Sequence, residues 1–227
     1  MESQHDYADP RCDSLAAVSA AWLADLQQER VIVVDLRPAH SFAGGFIPGS
    51  LSVPAPSCFA VLAATTVLKD REVLLLPSDD LSVAEVKEIV QNLGKPSAAG
   101  CLDATILDLW RQKVGTLGKI EEISADNLAV RLAAWKTMVV DVRGPDEDQR
   151  ARIPDAVHIP MEQLLSSMDG LPETTNITVV CSAGENASLA ASLLWRMGYR
   201  NVSTLIGGVA SYVRRGYRVL KQASPAG

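Results

Sequence analysis

The pentapeptide Val33-Val34-Asp35-Leu36-Arg37 recurs almost unchanged as Val139-Val140-Asp141-Val142-Arg143. Ile47-Pro48 and Val53-Pro54 follow the first copy, and Ile153-Pro154 and Ile159-Pro160 follow the second. The two blocks align without a gap at an offset of about 106 residues, which is the size of a domain and too long for a solenoid repeat. A chain of 227 residues written this way must build two small cores of one design.

The flanking patterns say what that design is. An amphipathic helical pattern precedes each block: Leu15 to Gln28, with Asp13 or Ser14 as N-cap, and Ala125 to Trp135, with Ser124 as N-cap. A second apolar run follows each block, Val73 to Leu76 and Ile177 to Val180, and then another helical pattern. Each half therefore reads helix, strand, loop, short strand, helix, strand, helix, strand. Short Val/Leu-rich runs alternating with helices predict an α/β fold, each half a small, mostly parallel sheet flanked by helices on both faces. Gly115-Thr116-Leu117-Gly118-Lys119 carries glycine and little apolar periodicity, which places the boundary between domains 1–117 and 118–227.

Composition removes several classes of function. With 48% hydrophobic and 21% charged residues the chain has an ordinary globular balance. A net charge of −6 argues against nucleic acid or an anionic membrane as partner, because both demand a basic face. No apolar run approaches the roughly 20 residues that span a bilayer. The start, MESQHDYADPRCD, lacks the basic and apolar regions of a secretory signal. A cytoplasmic setting with reduced thiols is expected. The cysteines are Cys12, Cys58, Cys101 and Cys181; no two form a C-x-x-C pair, and none stands near a histidine in zinc-site spacing. No metal site is expected from this spacing. His158, in the short strand ending at Pro160, reads as packing or surface; His5 and His40 have no partner legible in the sequence. Trp22, Trp110, Trp135 and Trp195 lie on helical patterns and read as core or inter-domain packing.

Cys181 differs from the other cysteines in position. It stands where the run Ile177 to Val180 stops and a helix begins, at the strand end where open α/β sheets bind ligands. The loop Cys181-Ser182-Ala183-Gly184-Glu185-Asn186 is built from residues that let a backbone curl, so successive N–H groups can converge on an anion. The following helix adds the positive end of its dipole. A lowered pKa for the Cys181 thiol is expected in such a nest.

The second half resembles a rhodanese domain. The resemblance rests on Val-Val-Asp-Val-Arg at 139–143, Ile153-Pro154 with Ala156, Ile159-Pro160, Val-Val-Cys at 179–181 with Gly184, Gly-Tyr-Arg-Asn-Val at 198–202, and Leu-Ile-Gly-Gly at 205–208 with Tyr212. The first half is similar through Val-Val-Asp-Leu-Arg at 33–37, Phe42, Gly-Phe-Ile-Pro-Gly at 45–49 and Trp110. The whole chain is similar to tandem rhodaneses with an inactive N-terminal copy. The resemblance implies a sulfurtransferase in which Cys181 takes a sulfane sulfur as a persulfide, the loop 182–186 holds it, and a thiophilic acceptor removes it, with no metal or organic cofactor. Asp141 and Arg143, like Asp35 and Arg37, are expected to tie loops together rather than to react.

Departures from the family pattern matter for substrate. The equivalent loop of the first half is Leu76-Pro77-Ser78-Asp79-Asp80-Leu81, with no thiol, one amide lost at Pro77 and two carboxylates. The glycine pair of the second half aligns there with Thr105 and Ile106. In the active loop Glu185 and Asn186 stand where thiosulfate-type loops are basic, which should weaken binding of a dianionic donor. Glu147 and Asp148 replace a basic residue and an aromatic; Arg150 and Arg152, just beyond, are candidates to supply the missing positive charge. The expected donor is a neutral small molecule or a protein-bound sulfur, and the acceptor a thiol. The alternative is a slow or non-catalytic module that binds a protein partner or senses persulfide. A rhodanese-fold phosphatase needs a Cys-x5-Arg loop, and position 187 is alanine.

Overall fold

The computed structural model describes residues 31–54, 58, 62, 67–69, 71–92, 98–145, 151–168 and 173–220. The helix read over Leu15 to Gln28, and with it His5, Cys12 and Trp22, lies outside the described residues. The chain divides into two compact units, Met1–Lys119 and Ile120–Gly227.

The first unit runs β1 (Val31–Asp35), α1 (Ala39–Gly44), β2 (Leu51–Ser52), β3 (Glu72–Leu76), α2 (Val83–Asn92), β4 (Ala98–Cys101) and α3 (Ile106–Lys113). Its strands pair in parallel in the order β2-β1-β3-β4. All five residues of β1 are buried, as a parallel strand covered on both faces requires. Trp110 packs with Val31, Val33, Leu74, Leu76 and Ile106 in one core cluster.

The second unit runs β5 (Glu121–Ile123), α4 (Ala125–Ala133), β6 (Met138–Asp141), β7 (Val157–His158), a turn of 3-10 helix (Met161–Gln163), α5 (Leu164–Ser167), β8 (Ile177–Val180), α6 (Glu185–Arg196), β9 (Val202–Leu205) and α7 (Gly208–Arg214). Its strands are also all parallel, in the order β5-β9-β8-β6-β7. β5 was not legible in the sequence, because a three-residue strand reading Glu-Glu-Ile has no period. Ser124 caps α4 by accepting from the Asn127 amide.

The repeat persists at the level of single bonds. Asp35 pairs in register with Ser52 and Asp141 with His158. The Arg37 guanidinium binds the Asp35 carboxylate through Nε (2.9 and 3.1 Å) and Nη2 (2.6 Å) and donates to the Gly45 carbonyl. Arg143 binds Asp141 at the same three distances and donates to the Ala151 carbonyl. Asp141 is fully buried and Arg143 is 6% exposed, so neither charge has water to fall back on. Arg143→Met should lower unfolding free energy by about 3–5 kcal/mol by leaving a buried carboxylate unpaired. Urea denaturation checks this, and restoration of part of the loss by adding Asp141→Asn would assign it to the pair.

Two expectations are corrected. Trp135 is 86% exposed, because α4 ends at Ala133 and Trp135 lies beyond it at φ 54°. Cys101 is buried at the end of β4 and disulfide-bonded, against the expectation of reduced thiols; residue spacing alone cannot show such a pairing. Trp195 is half-buried, with the Arg200 guanidinium 3.9 Å above its ring.

Candidate active site

Cys181 is the first residue beyond β8, and α6 begins four residues later. Gly184 turns the chain between them at φ 118°, a backbone conformation that side chains oppose. The turn brings amides back onto the sulfur. Sγ accepts from the Gly184 amide at 3.0 Å and from the Ala187 amide at 3.3 Å, and the amides of Ala183 and Asn186 also favour its anion.

The loop carbonyls are held in the opposite direction. The Val209 amide donates to the Cys181 carbonyl at 2.8 Å, and the Ala210 amide donates to the Ser182 carbonyl at 3.2 Å. The first turn of α7 thus uses two of its otherwise unmatched donors to orient the loop. Such an approach requires glycine: a Cβ on Gly208 would lie 2.3 Å from the Cys181 oxygen. Gly207 and Gly208 both have left-handed φ, 68° and 58°. The amides of Val209 and Ala210 were not singled out from sequence; the Gly-Gly pair opening a helix was the signal that could have found them.

The thiol is 4% exposed. Burial pushes its pKa up, and the amides of Ala187, Gly184, Ala183 and Asn186 pull the other way without overcoming it. The expected lowering of this pKa is therefore reversed, because the loop that supplies the donors also removes the water. The folded chain holds this proton more tightly than the unfolded chain does. Stability from this group is present below the ordinary thiol range and is lost as pH rises through the raised value. Alkylation of Cys181 by iodoacetamide, followed by peptide mass, should keep accelerating with pH beyond the ordinary thiol range; a plateau near neutrality would contradict it.

Around the loop, Ala183 and Glu185 are exposed, and Ser182 and Asn186 are half-buried. Asp141 ends the neighbouring strand and Arg143 lies two residues beyond it, with the Val142 amide between them donating to the Val180 carbonyl at 3.0 Å. His158 Nε2 donates to the Arg143 carbonyl at 2.8 Å and joins β7 to that turn. Arg152 is half-buried, with its backbone in an antiparallel bridge to Leu220. Glu147, Asp148 and Arg150 lie outside the described residues. No group of three or more His, Cys, Asp or Glu residues among the described residues is arranged to hold a metal. No described helix is long and apolar enough to cross a membrane.

In the first unit the same position, directly after β3, is Pro77. The buried Ser78 donates its hydroxyl to Asp80, and Asp79 and Asp80 are exposed. Ser82 and Glu85 then form a reciprocal cap at the start of α2. The helix starts agree with the aligned pair: Thr105 and Gly207 are the N-caps of α3 and α7, and Ile106 and Gly208 are their first residues.

Residues 124–215 match the rhodanese-like domain family. A sulfurtransferase from Allochromatium vinosum is 30% identical over 102 residues, which are 44% of this chain and 95% of that protein. The adenylyltransferase and sulfurtransferase uba4 of Ogataea parapolymorpha is 33% identical over 111 residues, 47% of this chain but 28% of that protein. Among solved structures, a rhodanese-related protein from Thermoplasma volcanium is 26% identical with a TM-score of 0.42, covering 45% of this chain and 99% of its own.

Proposed function

The chain belongs to the rhodanese-like family, and from that premise we propose that it is a sulfurtransferase whose sulfur carrier is Cys181. The observation that carries the reading is the pair of backbone amides, Gly184 and Ala187, that donate to one buried sulfur. Oriented amides in a site without water stabilise charge that develops on the group they face. The Cys181 thiolate attacks the sulfane sulfur of a donor, a new S–S bond forms, and the donor's leaving group departs with the electron pair of the bond that breaks. A thiol acceptor then attacks the outer sulfur as its thiolate and frees Cys181. Residues 118–227 suffice for this chemistry, and the sequence requires no cofactor for it.

The first unit, Met1–Lys119, fits a degenerate copy of the same module. Pro77 stands where the thiol would be, and two exposed carboxylates would repel an anion. Its role is structural or regulatory. The exposed carboxylate of Glu185 disfavours thiosulfate, a dianion, and points to a small donor of lower negative charge or to a protein-bound one. Glu185→Arg should raise kcat/KM for thiosulfate about tenfold, an effect that shrinks with added salt; no change would remove the charge argument.

The test is the intact mass of the full chain after incubation with sulfur donors. A gain of one sulfur atom, mapped to the Cys181 peptide and removed by cyanide, supports the reading. No gain from thiosulfate, mercaptopyruvate or any persulfide favours the second reading, a module that binds a protein partner. The burial of the thiol and the upward shift of its pKa are what speak for that alternative.

A further inference from the structure

Arg214 is a cation that the sequence did not connect with the site. Gly207, Ser211 and Arg214 fall on one face of α7, four and seven residues apart along the helix. The Arg214 side chain folds back along that face: a Cβ on Gly207 would lie 3.6 Å from its Nη2. Gly207 in turn meets the catalytic loop, since a Cβ on Gly184 would lie 3.7 Å from the Gly207 nitrogen. Glu185 follows Gly184 directly. The two segments that meet at these glycines therefore carry a guanidinium, Arg214, and a carboxylate residue, Glu185, next to the turn whose amides face Cys181. Both side chains are exposed. Among the described residues neither makes an ion pair, with the other or with anything else.

Two exposed charges of opposite sign, on chain segments that meet next to the thiol's loop, are complementary to a ligand that carries both signs. We propose that Arg214 and Glu185 select a zwitterionic donor, an α-amino-acid persulfide of the cysteine type, with Arg214 taking its carboxylate and Glu185 its ammonium. The inference rests on Cys181 acting as sulfur carrier. The step balances without an oxidant: the Cys181 thiolate attacks the outer sulfur of R–S–SH, the Sγ–S bond forms, the donor S–S bond breaks, and R–S⁻ leaves with its electron pair. The proton stays on the transferred sulfur.

Three donors separate the two charges: cysteine persulfide has both, 3-mercaptopropionate persulfide has only the carboxylate, and cysteamine persulfide has only the ammonium. The rate of sulfur gain at Cys181 in the full chain, read by mass, is the measurement. Arg214→Gln should slow loading from cysteine and 3-mercaptopropionate persulfides about tenfold and leave cysteamine persulfide unchanged. Glu185→Gln should slow loading from cysteine and cysteamine persulfides by a similar factor and leave the carboxylate-only donor unchanged or faster. Arg214→Lys should restore most of the lost rate. An equal effect on all three donors would assign Arg214 a structural role and overturn the proposal, as would no effect on any. Failure of the unaltered chain to gain sulfur from all three would overturn the carrier reading itself, a result distinct from lost selectivity.

Discussion

Cys181→Ser should gain no sulfur from any donor, whereas Cys58→Ser should load as the unaltered chain does. The contrast isolates position from chemistry. Both cysteines are buried and outside any disulfide, but Cys181 stands at a strand end facing the amides of Gly184 and Ala187. A serine hydroxyl at 181 would still receive those amides and preserve the loop. It would lack a polarisable nucleophile with a thiol's acidity, so loading should fall below detection while the thermal midpoint moves little. Loading of Cys181→Ser, or loss of loading in Cys58→Ser with its fold intact, would place the carrier elsewhere.

Gly208→Ala should lower loading at least 100-fold (roughly the effect of losing one oriented donor), and cost about 2–4 kcal/mol of stability. The added methyl would meet the Cys181 and Ser182 carbonyl oxygens at 2.3 and 2.5 Å, backbone atoms that can yield only by moving the loop. Moving it breaks the bonds from Val209 and Ala210 and turns the amides away from Sγ. Gly216→Ala is the control for backbone strain alone: its φ is 79°, and its Cβ would meet nothing within 4 Å. That variant should lose about 1 kcal/mol and load normally. If Gly208→Ala loads at the unaltered rate, the coupling of α7 to the loop has no functional weight.

These two variants differ in how far the sequence could have predicted them. Cys181 was legible because its signals are local: an apolar run, a turn of small residues and a helix follow one another along the chain. The Asp-x-Arg repeat was legible for the same reason, since each carboxylate binds the arginine two residues on. The contact behind Gly208→Ala joins segments 27 residues apart in sequence (181 and 208), and nothing in the order of residues shows that two backbones touch. Trp135 failed for a related reason. Its place in a helical pattern says nothing about where the helix stops, and the indole falls outside α4.

The sequence by itself determined the two-fold repeat, the parallel sheets that alternating short strands and helices demand, and the position of the thiol at a strand end. These follow from hydrophobic period and turn chemistry, which act over a few residues. Only the tertiary structure decided the sign of the thiol's pKa shift, because desolvation sums over everything packed around Sγ while the favourable amides belong to the loop alone. It also brought Arg214, two turns along α7, back to Gly207, a neighbourhood that the order of residues does not show.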